Sequence, residues 1–200
     1  MVLMRYFLLI WILFISYNQA FTQAWELKKE GDSIKVYTRV VPNSPIKEFK
    51  ASGTMKAKPE AIYAVLRDVP SYPKWIEDVK HAIKISEYDS GMTFYYQLAL
   101  PWPLNDRDMA LEMKITSSEN TILFALESNP ELVAVDEDFI RMVTVTGEWS
   151  IQQLDDEFCL VEHRFLADPE GSLPSWVVNM FIVDGPYQTM ANLSEYLQKN

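Results

Sequence analysis

With 200 residues, 48% of them hydrophobic and six of them Trp, the chain is too apolar for intrinsic disorder and fits one domain with a sizeable core. A formal net charge of -10 at pH 7 argues against nucleic acid as a partner, because phosphates call for a basic surface. The single cysteine, Cys159, excludes an intrachain disulfide and reads as a core thiol on an apolar strand.

The first residues read as an export leader. Arg5 is the only charge before Glu26, residues 6–15 are uninterruptedly apolar, and polar Ser16, Asn18 and Gln19 lead to Ala20 and Ala24. A spanning helix takes roughly 20 apolar residues, so this stretch is short for an anchor. The expectation is a signal peptide over residues 1–20, cut after Ala20 or Ala24, and a domain over 25–200 in the periplasm or secreted. Charge is uneven in that domain. Residues 25–58 hold eight Lys or Arg against four Asp or Glu, whereas residues 59–200 hold nine against 24. Pairing of the two parts across a sheet accounts for this, and a basic docking strip is the alternative.

From residue 33 the chain alternates as strands do. Ile34, Val36, Thr38 and Val40 share one face, as do Phe49, Ala51, Gly53 and Met55, with a Pro42-Asn43-Ser44-Pro45 turn between. The period then becomes helical. Pro59 opens a helix carrying Ala61, Ile62, Val65 and Leu66, Asp68-Val69-Pro70 ends it, and a short helix through residues 72–76 follows. Five further strands are expected around Met92–Leu100, Met109–Ile115, Ile122–Leu126, Phe139–Trp149 and Cys159–Phe165. After Pro174 a long amphipathic helix runs through Trp176, Met180, Val183, Tyr187, Met190, Leu193 and Leu197, with Gly185-Pro186 as a kink or short break. A curved sheet cannot fill its own concavity, so this helix must lie across it, and any misfit between them is a cavity.

Four local stretches then carry a family resemblance. Asp68-Val69-Pro70-Ser71-Tyr72-Pro73-Lys74-Trp75, Pro101-Trp102-Pro103-Leu104-Asn105-Asp106-Arg107-Asp108, Gly147-Glu148-Trp149, and Asp168 to Trp176 with Asn179 occur in the order found in StAR-related lipid transfer (START) domains. The chain resembles that family, within the Bet v 1-like helix-grip superfamily, over about residues 25–197. The resemblance implies an α+β helix-grip fold, a curved antiparallel β-sheet wrapped around a long C-terminal α-helix with an internal apolar cavity. It also implies a lipid or other apolar small molecule as ligand and no universal catalytic set. Little room remains before Ser33 for the N-terminal helix of longer members, which leaves the first element open.

The residues themselves offer little to an enzyme. The two His, at 81 and 163, lie in no metal-binding pattern, and Asp136-Glu137-Asp138 and Asp155-Asp156-Glu157 lack the ligand spacing of a Ca²⁺ loop. No metal and no cofactor is expected. Arg141 alternates with Val143 and Val145, so a concave face there would aim a guanidinium into an apolar cavity for a polar head. His163 shares a face with Val161 and Phe165 and offers a neutral hydrogen bond. The expected ligand contacts are Arg141, His163, Tyr96, Trp102, Val143, Trp176 and Met180, with the stiff loop around Trp102 as a lid. Non-catalytic carriage of the ligand by a monomer in transient contact with membranes is the leading reading. A cyclase- or dehydratase-like enzyme of the superfamily or a protein-interaction module is the alternative.

Overall fold

Cross-strand pairing of alternating apolar side chains builds one ten-stranded sheet, seen in a computed structural model that describes residues 24–42, 44 and 46–199 and only the backbone of Ser175 and Trp176. The leader expected over residues 1–20 lies outside the described residues. Strands β1 (Glu26–Gly31), β2 (Ile34–Val40) and β3 (Lys47–Lys56) form the first meander. Strands β4 (Val79–Tyr88), β5 (Gly91–Leu98), β6 (Arg107–Ser117) and β7 (Thr121–Ser128) form the second. Two-residue β8 (Ile140–Arg141), β9 (Val145–Gln153) and β10 (Phe158–Ala167) complete the set. The order is β1-β2-β3-β10-β9-β7-β6-β5-β4, so β10 returns to β3 and joins the meanders, while β8 lies parallel beside β6.

Register decides which residues meet. Val36 pairs with Ala51, Ala51 with His163, His163 with Trp149, and Trp149 with Phe124, a single row across β2, β3, β10, β9 and β7. Val36, Ala51, Trp149 and Phe124 are all buried. Helix α1 (Pro59–Arg67) places Pro at its first turn, Glu60 near its positive end and Arg67 near its negative end, and buries Ile62 and Leu66. Asp68, at φ -87° and ψ 69°, leaves the helical region and ends α1, and a 3₁₀ turn (Val69–Lys74) with Pro70 near its start follows. It buries Tyr72, and Trp75 after it is buried too; the Tyr72 hydroxyl donates to the Leu66 carbonyl at 2.7 Å.

The C-terminal helix crosses the concave side in three parts: α2 (Ser175–Asn179), a π-helical turn (Met180–Asp184) and α3 (Gly185–Lys199). Gly185-Pro186 therefore produces a π turn, in which the Gly185 N–H reaches the Met180 carbonyl, and not a break. Pro186 has no N–H and its ring crowds the preceding turn, and a wider turn accommodates both.

Two strands have no counterpart in the alternation read from the sequence. Strand β1, Glu-Leu-Lys-Lys-Glu-Gly, forms because Asp32 and Ser33 take left-handed conformations, φ 48° and 64°, and fold it back on β2. Strand β4 is an edge strand exposed over most of its length, so hydrophobic period says little about it. The expected strand Phe139–Trp149 is divided, with Met142–Thr144 outside both β8 and β9. Cations of the basic part meet carboxylates of the acidic part at Lys50–Glu162, Lys56–Glu157 and Lys29–Asp184, while Arg164 meets Glu48 and Glu148. The exposed pairs among them each contribute at most about 1 kcal/mol.

Gly147 marks the tightest packing in β9. A Cβ there would lie 2.3 Å from Phe165 Cδ2 and 2.7 Å from the Arg164 carbonyl oxygen, and neither the ring's base nor the backbone can swing away. Gly147→Ala is expected to destabilise the fold by about 1–3 kcal/mol, the range for overpacking. Urea unfolding would show this as a lower midpoint at unchanged slope.

Candidate functional site

A cavity of about 530 Å³ lies between the concave face and the C-terminal helix. Strands supply Phe49, Tyr96, Leu98, Met109, His163, Phe165 and Ala167, and the helix supplies Val178, Asn179, Phe181, Ile182, Gly185, Pro186 and Thr189. Ile76, Glu77 and Asp78 close one side, and Pro169 and Leu173, on the approach to the helix, close another. Its size is that of a small-molecule site.

Beneath it runs a continuous series of ring contacts. His163 stacks on Trp149 with centroids 3.9 Å apart and planes 5° from parallel. Trp149 meets Trp75 edge-on at 5.8 Å, Trp75 meets Tyr72 at 5.3 Å, Tyr72 meets Phe94 at 5.7 Å, and Phe94 stacks on Tyr96 at 6.0 Å. Each contact is worth about 0.5–1.5 kcal/mol beyond burial, and together they stiffen the floor. Both ends of the series, His163 and Tyr96, are on the cavity wall.

Both carry polar atoms that face the cavity wall without a hydrogen-bond partner among the described residues. His163 Nδ1 is buried with no hydrogen-bond partner among the described residues. Desolvation holds the imidazole at about 3, far below its ordinary 6.5, so it is neutral across the physiological range. Burial likewise pushes the Tyr96 phenol far up, and its hydroxyl has no partner among the described residues. Glu77 and Thr189 are tied down. The Glu77 N–H donates to Thr189 Oγ1 at 3.0 Å, and Asn192 Nδ2 donates to Glu77 Oε2 at 3.2 Å, which fixes α3 to the corner before β4. Asp78, at φ 63°, has its carboxyl pushed up by burial and by neighbouring Glu77.

The other residues expected to contact ligand are placed elsewhere, or not described. Arg141 is absent from the wall and is bound on all sides. Its Nε and Nη2 grip Asp108 Oδ1 and Oδ2 at 2.9 and 2.8 Å, and its remaining donors reach the carbonyls of Pro130, Val133 and Ala134. Pairing β8 with β6 turned this residue away from the β9 face on which alternation had put it. Val143, between β8 and β9, is 48% exposed and also off the wall. Trp102, 91% exposed, stands at the tip of the β5–β6 loop and covers nothing. Met180 is half-buried but off the wall. The expected stripe assumed 3.6 residues per turn throughout, whereas the π turn takes in more and presents Phe181 and Ile182 instead. The side chain of Trp176 lies outside the described residues. Phe49, Leu98 and Met109 were legible as inward strand positions, but Glu77, Asp78 and Thr189 carried no signal in the sequence.

Base residues of the Trp102 loop are firmly held. Leu100 N–H and Lys80 Nζ donate to Asp106 at 2.8 and 2.9 Å. Buried Arg107 donates from Nε to the Pro169 carbonyl at 2.6 Å, from Nη2 to the Glu170 carbonyl at 3.1 Å, and from Nη1 to the Asn105 carbonyl. That guanidinium joins the loop to the corner entering the C-terminal helix.

Comparison with known proteins is consistent with this geometry. The START domain family profile matches residues 13–200. An uncharacterized protein of Pseudomonas aeruginosa is 27% identical over 91% of this chain and 91% of its own. The crystal structure of a STAR-related lipid transfer protein from Xanthomonas axonopodis superposes with a TM-score of 0.80 at 28% identity, covering 87% of this chain and 98% of that one. The phosphatidylcholine transfer protein of Rattus norvegicus is 22% identical over 80% of this chain and 78% of its own.

Two outcomes are expected. Arg141→Met leaves Asp108 buried without its charge partner, which costs about 3–5 kcal/mol of stability, while the cavity wall is untouched. Chemical denaturation and a ligand-binding titration would separate the two effects. For His163, the folded-state value lies below the free one, so unfolding takes up a proton between them. Its contribution is complete above about pH 6.5 and is lost as pH falls toward 3, at up to about 1.4 kcal/mol per pH unit. Subtracting the stability–pH curve of His163→Phe from that of the wild type should isolate this slope, and parallel curves would show that the imidazole is solvated in the folded state.

Proposed function

This chain belongs to the START domain family, and on that premise we propose that it binds a lipid or other apolar small molecule in the cavity beneath its C-terminal helix and carries it. The observation that supports this most directly is the hollow itself. A cavity of about 530 Å³ with an aromatic floor and two unsatisfied, uncharged polar groups is arranged for an apolar guest with a polar handle. Tyr96 and His163 are the contacts retained from the sequence reading; the others give way to Phe49, Leu98, Phe181 and Ile182.

Binding without chemistry is the reading favoured over a superfamily enzyme. His163 is a weak base at about 3, and a general base works best near the operating pH. The leader-like residues 1–20 support action outside the cytoplasm, periplasmic or secreted. Trp102 supports transient membrane contact: an indole flanked by Pro101 and Pro103, almost wholly in solvent, has the amphipathic character found at membrane–water interfaces.

Two measurements test the reading. Native mass spectrometry of protein incubated with mixed-lipid vesicles should show one bound lipid per chain. Trp102→Ser should slow lipid transfer between vesicles several-fold, with melting temperature and equilibrium affinity unchanged. A variant that transfers as fast as wild type would remove Trp102 from membrane contact, and protein recovered empty would remove the cavity from function.

A further inference from the structure

The polar chemistry of the cavity is narrow enough to define its guest more closely. His163 and Tyr96 stand at opposite ends of the ring series, and neither has a hydrogen-bond partner among the described residues. A neutral imidazole carries one N–H and one lone pair. Nδ1 is sealed in without an acceptor, and a sealed lone pair is cheaper than a sealed N–H. The tautomer that follows puts the proton on Nε2, the nitrogen left to meet a ligand. The cavity thus offers a donor at His163 and a hydroxyl, donor or acceptor, at Tyr96.

No buried cation lines the described wall. Among the described residues its cation is Lys47, which is exposed, and its two carboxylates, Glu77 and Asp78, repel negative charge. The buried guanidiniums are already engaged, Arg107 by three carbonyls and Arg141 by Asp108 and three more.

We propose, resting on the lipid-binding reading above, that the guest is an uncharged molecule whose hydroxyl or carbonyl oxygen is received by His163 Nε2 and the Tyr96 hydroxyl. A phosphodiester or carboxylate head would find no buried cation on the described wall.

Probes matched in body and different in head test this. The protein is equilibrated with carrier vesicles doped in turn with hexadecanol, hexadecane, cholesterol, cholestane, palmitate, hexadecyltrimethylammonium or dipalmitoylphosphatidylcholine, and retained probe is quantified after gel filtration. In at least one matched pair the alcohol should be retained on the order of tenfold more than its hydrocarbon, and more than any charged probe. His163→Phe keeps the stack on Trp149 and removes a buried orphan, so with Tyr96→Phe it should abolish that preference without lowering the melting temperature. A purely structural histidine would change stability and leave the preference intact. If the double variant does not fold, His163→Phe alone should reduce the preference. Preferential retention of phosphatidylcholine, palmitate or the quaternary amine would overturn the proposal and leave lipid binding standing, as would a preference that survives both substitutions. Retention of none of the seven would take the lipid-binding reading down with it.

Discussion

A single helix has to cover the concave side of a sheet whose ten strands wrap around it, and most of the structure follows from that mismatch. Side chains from one helix reach only part of the surface, so the remainder must be filled from the sheet or stay hollow. Large residues fill the floor: Trp149, Trp75, Tyr72 and Phe94 pack edge to face below the void. What would fill the space above them is thinned out by the small residues Ala167, Gly185 and Thr189 on the wall. The π turn adds to the effect, since it widens the helix at the point of crossing.

Buried polar groups in this fold fall into two kinds, and the difference separates architecture from function. Arg107, Asp108, Arg141 and Tyr95 form satisfied clusters in which charge meets charge or carbonyl oxygen. They hold the β5–β6 loop, the corner before the C-terminal helix and the β8 segment in place. His163 and Tyr96, by contrast, face the cavity without a hydrogen-bond partner among the described residues. The sealed Nδ1 of His163 costs about 1–3 kcal/mol, and on the proposed reading a guest meets the other nitrogen and the Tyr96 hydroxyl.

Much of this was legible in the amino-acid sequence. Alternation located β2, β3, β5, β6, β7 and β10 because apolar side chains recur at every second position of each, even where, as in β5, the intervening face is also covered, and the Pro59 and Pro174 boundaries framed the helices. The same periodicity failed elsewhere. Strand β4 is exposed, β1 depends on left-handed Asp32 and Ser33, and the chain between residues 139 and 149 leaves its strand to bring Arg141 to Asp108. Tyr96 and His163 were accessible as inward positions on regular strands. Arg141 misled because alternation gives a face only while the strand lasts, and Met180 because helical period gives a face only while turns keep 3.6 residues. The Glu77–Thr189 and Glu77–Asn192 contacts join residues more than a hundred positions apart, and neither carries a pattern.

The stack of His163 on Trp149 has an optical consequence. Indole emission shifts with the polarity around the ring, so buried Trp149, at the cavity floor, and solvent-bathed Trp102 emit at different wavelengths. An imidazole lying 3.9 Å from the excited ring is close enough for contact quenching, and its efficiency depends on what the imidazole itself is bonded to. A guest bonded to that imidazole would therefore alter the part of the emission that comes from Trp149 and leave that of distant Trp102 unchanged. Occupancy of the proposed site would then be readable in ultraviolet light, with no dye attached.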